Sequence, residues 1–223
     1  MKIFFALIFS IIFFASRSSA QEIENPVRWG LGVGLASASG AAFHIPVIYD
    51  NFRIEPEISF RSTSSSSNSS DGSTQETIST SASSTSQSVS IASGFYFLFS
   101  IDNSFLCYCG PRIGVTYTVT TSDDSTNQTF SDTSEIPQLT ISHSKQRTTT
   151  LTAGISFGAE YFISKHVSIG GELLLTYSHT GTPVVEESQT SIPSNSNLFT
   201  ASPSRTANST YGEGTAAFLR FYF

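Results

Sequence analysis

Apolar and polar residues alternate through most stretches of the chain that are rich in Val, Ile, Phe, Tyr and Thr. In "VRWGLGVGLASA", Val27, Trp29, Leu31, Val33 and Leu35 share one parity, while Arg28, Gly30, Gly32 and Gly34 share the other. A period of two predicts a strand with one apolar face. The same pattern recurs in "AAFHIPVIY", "FRIEPEISFR", "SVSIASGFYFLFS", "CYCGPRIGVTYTVT", "TLTAGISFGAEYF", "HVSIGGELLLTYS" and "YGEGTAAFLRFYF". Helix-period patterning is slight, so the chain is expected to be all-β, with eight strands.

The connections between these strands fall into two classes. Those after the second, fourth and sixth strands are turns of a few residues, such as "DN", "IDNS" and "ISK". Those after the third, fifth and seventh are low-complexity and Ser/Thr-rich, at about 62–88, 122–147 and 179–210. Such segments carry too few apolar residues to offset their ordering entropy, so they are expected to be loops, with some flanking Ser/Thr continuing the strands. In an up-and-down meander, alternate connections lie at one end. All the long loops therefore emerge together and all the tight turns lie opposite, the asymmetry of outer-membrane barrels with short periplasmic turns and longer extracellular loops.

Charge position sharpens this reading. With Trp29, Ile58, Val115, Ile155, Leu173 and Phe221 taken as outward, Arg28, Arg53, Glu55, Glu57, Arg61, Arg112, Glu160, Glu172 and Arg220 all take the inward parity. Glycines share the charged face, as a crowded lumen needs, and aromatic residues recur at the strand ends of the other face, as an interfacial girdle does. A soluble β-sandwich would turn its charges to water and its apolar face to a partner sheet. In hydrocarbon, only a closed barrel satisfies every strand's backbone groups. The expected fold is a transmembrane antiparallel up-and-down β-barrel of eight strands. The nine charged residues are expected to form a mutually paired plug in a lumen wide enough only for side chains. Ser168, on the inward parity, is expected to tolerate a larger polar side chain better than an outward site would, given space.

The first residues add an address. One Lys, an apolar run from Ile3 to Ala15 and the small residues before Gln21 resemble a cleavable secretory signal over 1–20, leaving 21–223 as the barrel domain. The formal net charge of −6 carries no basic stripe and argues against nucleic acid. The last strand places Leu219, Phe221 and Phe223 on one parity. This set resembles the C-terminal signal by which Gram-negative outer-membrane barrels are recognised for assembly. "RIEPEISF", "GPRIGVTY" and "YFISKHVSIGGELLLTY" are similar to segments of the small eight-stranded outer-membrane barrel superfamily, the porin-like type of OmpX, OmpW and the OmpA membrane domain. The resemblance implies outer-membrane localisation, contact with outer-membrane lipid and with the barrel-assembly machinery, and an extracellular ligand engaged through the loops. The expected function is a non-catalytic scaffold presenting three long polar loops. A narrow channel for small or apolar solutes and a secreted soluble β-sandwich binding protein are the alternatives.

Signals for chemistry are weak. The glycines of "GLGVGL" sit inside a strand, whereas a dinucleotide site needs strand, glycine turn and helix in succession. His166 and Ser168 resemble the His-x-Ser pair of outer-membrane lipid A deacylases, but fall at the tight-turn end. His143 and Ser144 are adjacent in a strand and point to opposite faces, so one does not activate the other; His179 lies at the loop end. Cys107 and Cys109, two apart on one strand face, lack the converging Cβ vectors of a disulfide and lack further ligands for a metal. They are expected to be small apolar fillers. Asn68, Asn127 and Asn208 each open an N-x-Ser/Thr sequence, a coincidence of composition in a bacterial loop. No cofactor or metal site is expected.

Overall fold

The structure, a computed structural model, describes residues 27–36, 40–72, 76–102, 104–130, 136–192 and 207–223. The signal expected over 1–20 lies outside the described residues. Ten strands form: β1 (Val27–Ala36), β2 (Gly40–His44), β3 (Val47–Tyr49), β4 (Phe52–Gly72), β5 (Glu76–Ser100), β6 (Phe105–Phe130), β7 (Gln138–Ser164), β8 (Val167–Thr180), β9 (Val184–Ile192) and β10 (Asn208–Tyr222). Every pairing is antiparallel, and β10 closes the ring on β1, with Leu31 opposite Phe221 and Val33 opposite Leu219. Pro46, which has no N–H to donate to a ladder, splits the expected second strand into β2 and β3. Both halves still bridge β1 and β4. Counting them as one member, and β9 as an addition to β7, the ring has eight members. It is one sheet closed on itself, which rules out two packed sheets of a sandwich.

Parity sets the two faces. Trp29, Leu31, Phe43, Ile54, Ile58, Ile113, Val115, Ile155, Leu173 and Phe221 are exposed on the outside, while Arg53, Tyr96, Tyr108, Glu160, Arg220 and Tyr222 are buried inside. Large apolar side chains thus face outward in a continuous belt, the reverse of a soluble core. Aromatic pairs bound the belt. Trp29 packs at a tilt against Phe223 and Phe52 against Phe97 near the tight turns, and Tyr177 meets Tyr211 toward the other end. Val167 to Tyr177 is eleven residues of β8, ten steps or about 33 Å of strand. Tilted as barrel strands are, this spans the ~25 Å apolar band of an outer-membrane barrel.

The tight-turn end is ordered by local chemistry. Asp50 takes φ 52° between β3 and β4, a left-handed conformation that Asp and Asn tolerate. Asp102 accepts from the backbone N–H of Ser104. Lys165 and His166 turn β7 into β8.

The loop end differs from expectation. Of the residues assigned to loops at 62–88, 122–147 and 179–210, most of those the structure describes are strand. β4 and β5 stay paired from Phe52–Phe97 to Gly72–Thr77, and β6 and β7 from Phe105–Tyr161 to Gln128–Gln138. After Gly181–Pro183, β9 takes over from β8 along the same edge of β7, pairing Arg147 with Val184 and Leu139 with Ile192. Ordering needs no new apolar core here because each strand grows from an already fixed barrel rim. Hydroxyls bond across it: Ser90 with Thr116 at 2.7 Å, Ser88 with Thr118 at 2.9 Å, and Thr120 and Ser122 donating to Ser86 and Ser84 at 3.2 Å. Cross-strand pairs of this kind each add a few tenths to ~1 kcal/mol. The result is a five-stranded polar sheet, β4–β5–β6–β7–β9, standing above the apolar belt.

Candidate functional site

Inside the lumen, alternate residues of every ring member converge. At its centre is Glu160 of β7, fully buried. One carboxylate oxygen accepts from Arg53 Nη1 at 2.8 Å and Arg220 Nη1 at 3.0 Å. The other accepts from Tyr222 Oη at 2.7 Å and from the Ser168 hydroxyl. Glu55 joins the same two guanidiniums, 2.5 Å from Arg220 Nη2 and 2.9 Å from Arg53 Nε. Above this layer, Arg112 bridges Glu57 at 2.5 Å and Glu172 at 2.9 Å, and Tyr108 donates to Glu172 at 3.0 Å. Charge-assisted bonds of this kind are the strong ones, and burial makes each partner obligatory.

Aromatic faces complete the packing. The Arg53 guanidinium lies 3.9 Å from the Tyr108 ring centroid and 4.9 Å from that of Tyr96, and Arg220 lies 3.5 Å from that of Phe218. Cations over ring faces are attracted by the ring quadrupole. Two glycines make the space. A Cβ on Gly158 would overlap the Tyr108 ring, and one on Gly94 would overlap the Tyr96 hydroxyl. Only residues without side chains fit opposite these rings.

Seven of the nine charged residues singled out from the sequence meet in this network: Arg53, Glu55, Glu57, Arg112, Glu160, Glu172 and Arg220. Two do not. Arg28 sits at the tight-turn rim, donating to the Lys165 carbonyl at 2.8 Å with its guanidinium over Phe162 and Tyr222. Arg61 is exposed at the opposite mouth. The expected balance of five Arg to four Glu thereby becomes three to four. His44, not singled out from the sequence, stands in the gap, buried with Nδ1 3.0 Å from Glu55 and 3.2 Å from Glu57. Its inward parity on β2, shared with the charged residues of neighbouring strands, was the signal that could have found it. The tyrosines at 96, 108 and 222 carried the same signal and pass for core residues by type.

Above Arg112 and Glu57 a cavity of about 150 Å³ opens, walled by Ser59, Ser90, Thr116, Thr152 and Thr176. Below it the Arg53–Glu160–Arg220 layer fills the section.

The candidate catalytic pairs are apart. Ser168 is buried against Glu160, whereas His166 is exposed at the turn with Nδ1 3.0 Å from the Tyr222 carbonyl. His143 Nδ1 stands 2.5 Å from Asp123, with Ser144 on the other face of the strand, and His179 Nδ1 stands 3.0 Å from the Ser209 hydroxyl. Cys107 and Cys109 are free thiols flanking inward Tyr108. Among the described residues no three His, Cys, Asp or Glu side chains converge as metal ligands would.

Several known proteins are similar to this chain. Among solved structures, the major outer membrane protein of Thermus thermophilus is similar at 12% identity and a TM-score of 0.44, covering 89% of this chain and 100% of that one. Neisserial surface protein A is similar at 11% identity and 0.36, covering 88% and 96%. Ail, the attachment invasion locus protein of Yersinia pestis, is similar at 10% identity and 0.36, with the same coverage. No curated protein matches the sequence. The family described as outer membrane protein beta-barrel domain matches over residues 5–198, so this chain, an eight-membered ring with its apolar face outward and its charges inside, belongs to that family and resides in the outer membrane.

Proposed function

We propose that the protein is a non-catalytic, non-conducting scaffold that holds a tall polar sheet on the outer face of the membrane, in a structural, protective or interaction role. The observation that carries this is the pairing of β4 through β9 far past the aromatic girdle, above a lumen closed by Arg53, Glu160 and Arg220. The outward apolar belt contacts outer-membrane lipid. Leu219, Phe221 and Phe223 on β10 form the strand surface offered to the barrel-assembly machinery, and the polar sheet is the part available to an extracellular ligand. The cavity above Arg112 favours a second reading, a narrow conduit for small or apolar solutes, which the buried layer beneath it opposes. Single-channel recording on the refolded protein in planar bilayers separates the two. The scaffold gives no steady discrete conductance; a reproducible unitary step overturns it in favour of the conduit.

A further inference from the structure

The polar sheet has two outer edges, and they are built differently. On one side β9 follows Pro183 and carries Glu186 and Glu187, features by which edge strands are blunted against pairing. On the other, β4 bonds to β5 along its whole length, but its opposite edge meets β2 and β3 only as far as Arg61. From Ser62 to Gly72, "STSSSSNSSDG", no strand among the described residues pairs with that edge. The segment has no Pro, no Lys, no break in register and one charge, Asp71. It is about 33 Å of open ladder.

The backbone phase of this edge follows from the barrel below. Ile45 N–H donates to the Pro56 carbonyl at 3.0 Å, so even-numbered residues of β4 turn their N–H and C=O away from β5. Register with β5 is unbroken from Phe52 to Gly72. Ser62, Ser64, Ser66, Asn68, Ser70 and Gly72 therefore present their backbone groups to the open side.

That phase decides what can pair with it. In a parallel pair, a residue facing its partner bonds to the two residues flanking its opposite number. Two copies side by side in one membrane would offer the same even residues in the same direction, one residue out of step, and no two-fold axis relates such strands. In an antiparallel pair, facing residues exchange both bonds with each other. Even meets even, and a two-fold through Ser67 puts Ser62 opposite Gly72, Ser64 opposite Ser70 and Ser66 opposite Asn68. The intervening pairs are Thr63 with Asp71, Ser65 with Ser69 and Ser67 with itself. Each of these pairs hydroxyl with hydroxyl or hydroxyl with carboxylate, and Asp71 never meets Asp71. The edge is self-complementary in one arrangement, which requires copies standing on two membranes that face each other.

We infer that the open β4 edge from Ser62 to Gly72 is a homotypic contact surface, pairing antiparallel with the same edge of a second copy on an apposed membrane. This rests on the reading that the sheet stands on the outer face. A small isologous contact of this kind is weak singly and is multiplied by the many copies two surfaces bring together.

The test uses the full chain, refolded at one copy per lipid nanodisc. Particle mass by light scattering is followed into the millimolar range, about the effective concentration that tethering supplies, and paired particles are imaged by negative stain. Wild type is expected to form two-disc particles joined at their sheet ends with the discs parallel. Ser66→Pro removes an edge N–H without touching the β5 ladder, and Asn68→Lys places a charge on the edge. Each is expected to weaken pairing at least tenfold while keeping the heat-modifiable gel shift of the folded barrel. Wild-type discs that stay single, or pairing unaffected by either substitution, would each overturn the inference. Conductance measured on the same preparation tests the scaffold reading separately.

Discussion

Removing the carboxylate of Glu160 puts the lumen network to its most direct test. Glu160 accepts four hydrogen bonds, from Arg53, Arg220, Tyr222 and Ser168, and its side chain has no solvent exposure. Glu160→Ala leaves Arg53 and Arg220 with Glu55 alone between them, so a buried cation loses its counter-charge and two hydroxyls lose their acceptor. Breaking a buried pair from one side costs about 3 to 5 kcal/mol. Glu160→Gln keeps the shape: its amide oxygen can face the two guanidiniums while its NH2 faces the hydroxyls, which rotate to accept. The smaller loss expected there isolates the charge. The assay is reversible urea unfolding in lipid vesicles followed by fluorescence of Trp29, the chain's one tryptophan, with gel mobility confirming the folded form. Asp123→Asn is the comparison, since Asp123 and His143 make an exposed pair and such pairs contribute no more than ~1 kcal/mol. If Glu160→Ala costs no more than Asp123→Asn, the network does not hold the barrel together and the reasoning fails.

Three further outcomes follow from the same geometry. Leu173→Arg sets a charge in the outward belt and should cost ~2–4 kcal/mol near the midplane; an unchanged vesicle titration would mean that this face is not in lipid. Gly158→Ala forces a methyl against the Tyr108 ring, an overpacking worth ~1–3 kcal/mol, and a crystal structure should show Tyr108 moved off Glu172. Replacing Ser88 by Ala together with Thr118 by Val removes one hydroxyl pair above the belt. Barrel stability should change by less than ~1 kcal/mol, while amide exchange in β5 and β6 beyond Ser88 quickens; slow exchange there would show that the hydroxyl bonds do not order the sheet.

Alternation alone assigns the face that each barrel residue takes, because a period of two leaves one choice of side for a whole strand. Trp29 and Leu173 outside, Arg53 and Glu160 inside, and the eight-membered meander were all legible before any contact was known. Three things were settled only in three dimensions. The first is how far the strands run. "STSSSSNSSDG" has no apolar period to mark it as strand, and its order comes from a neighbour already fixed by the barrel beneath it. The second is who pairs with whom. Arg28 and Arg61 share the parity of Arg53 and Arg220, but height along the barrel, set by stagger between strands, leaves them at the two rims and puts His44 between Glu55 and Glu57. The third is space. Parity gave Ser168 an inward position and left its room open, and the structure sets it against Glu160, whose carboxylate also holds Tyr222 and two guanidiniums. A one-dimensional pattern carries side and order; distance around and along a closed sheet is a property of the closure.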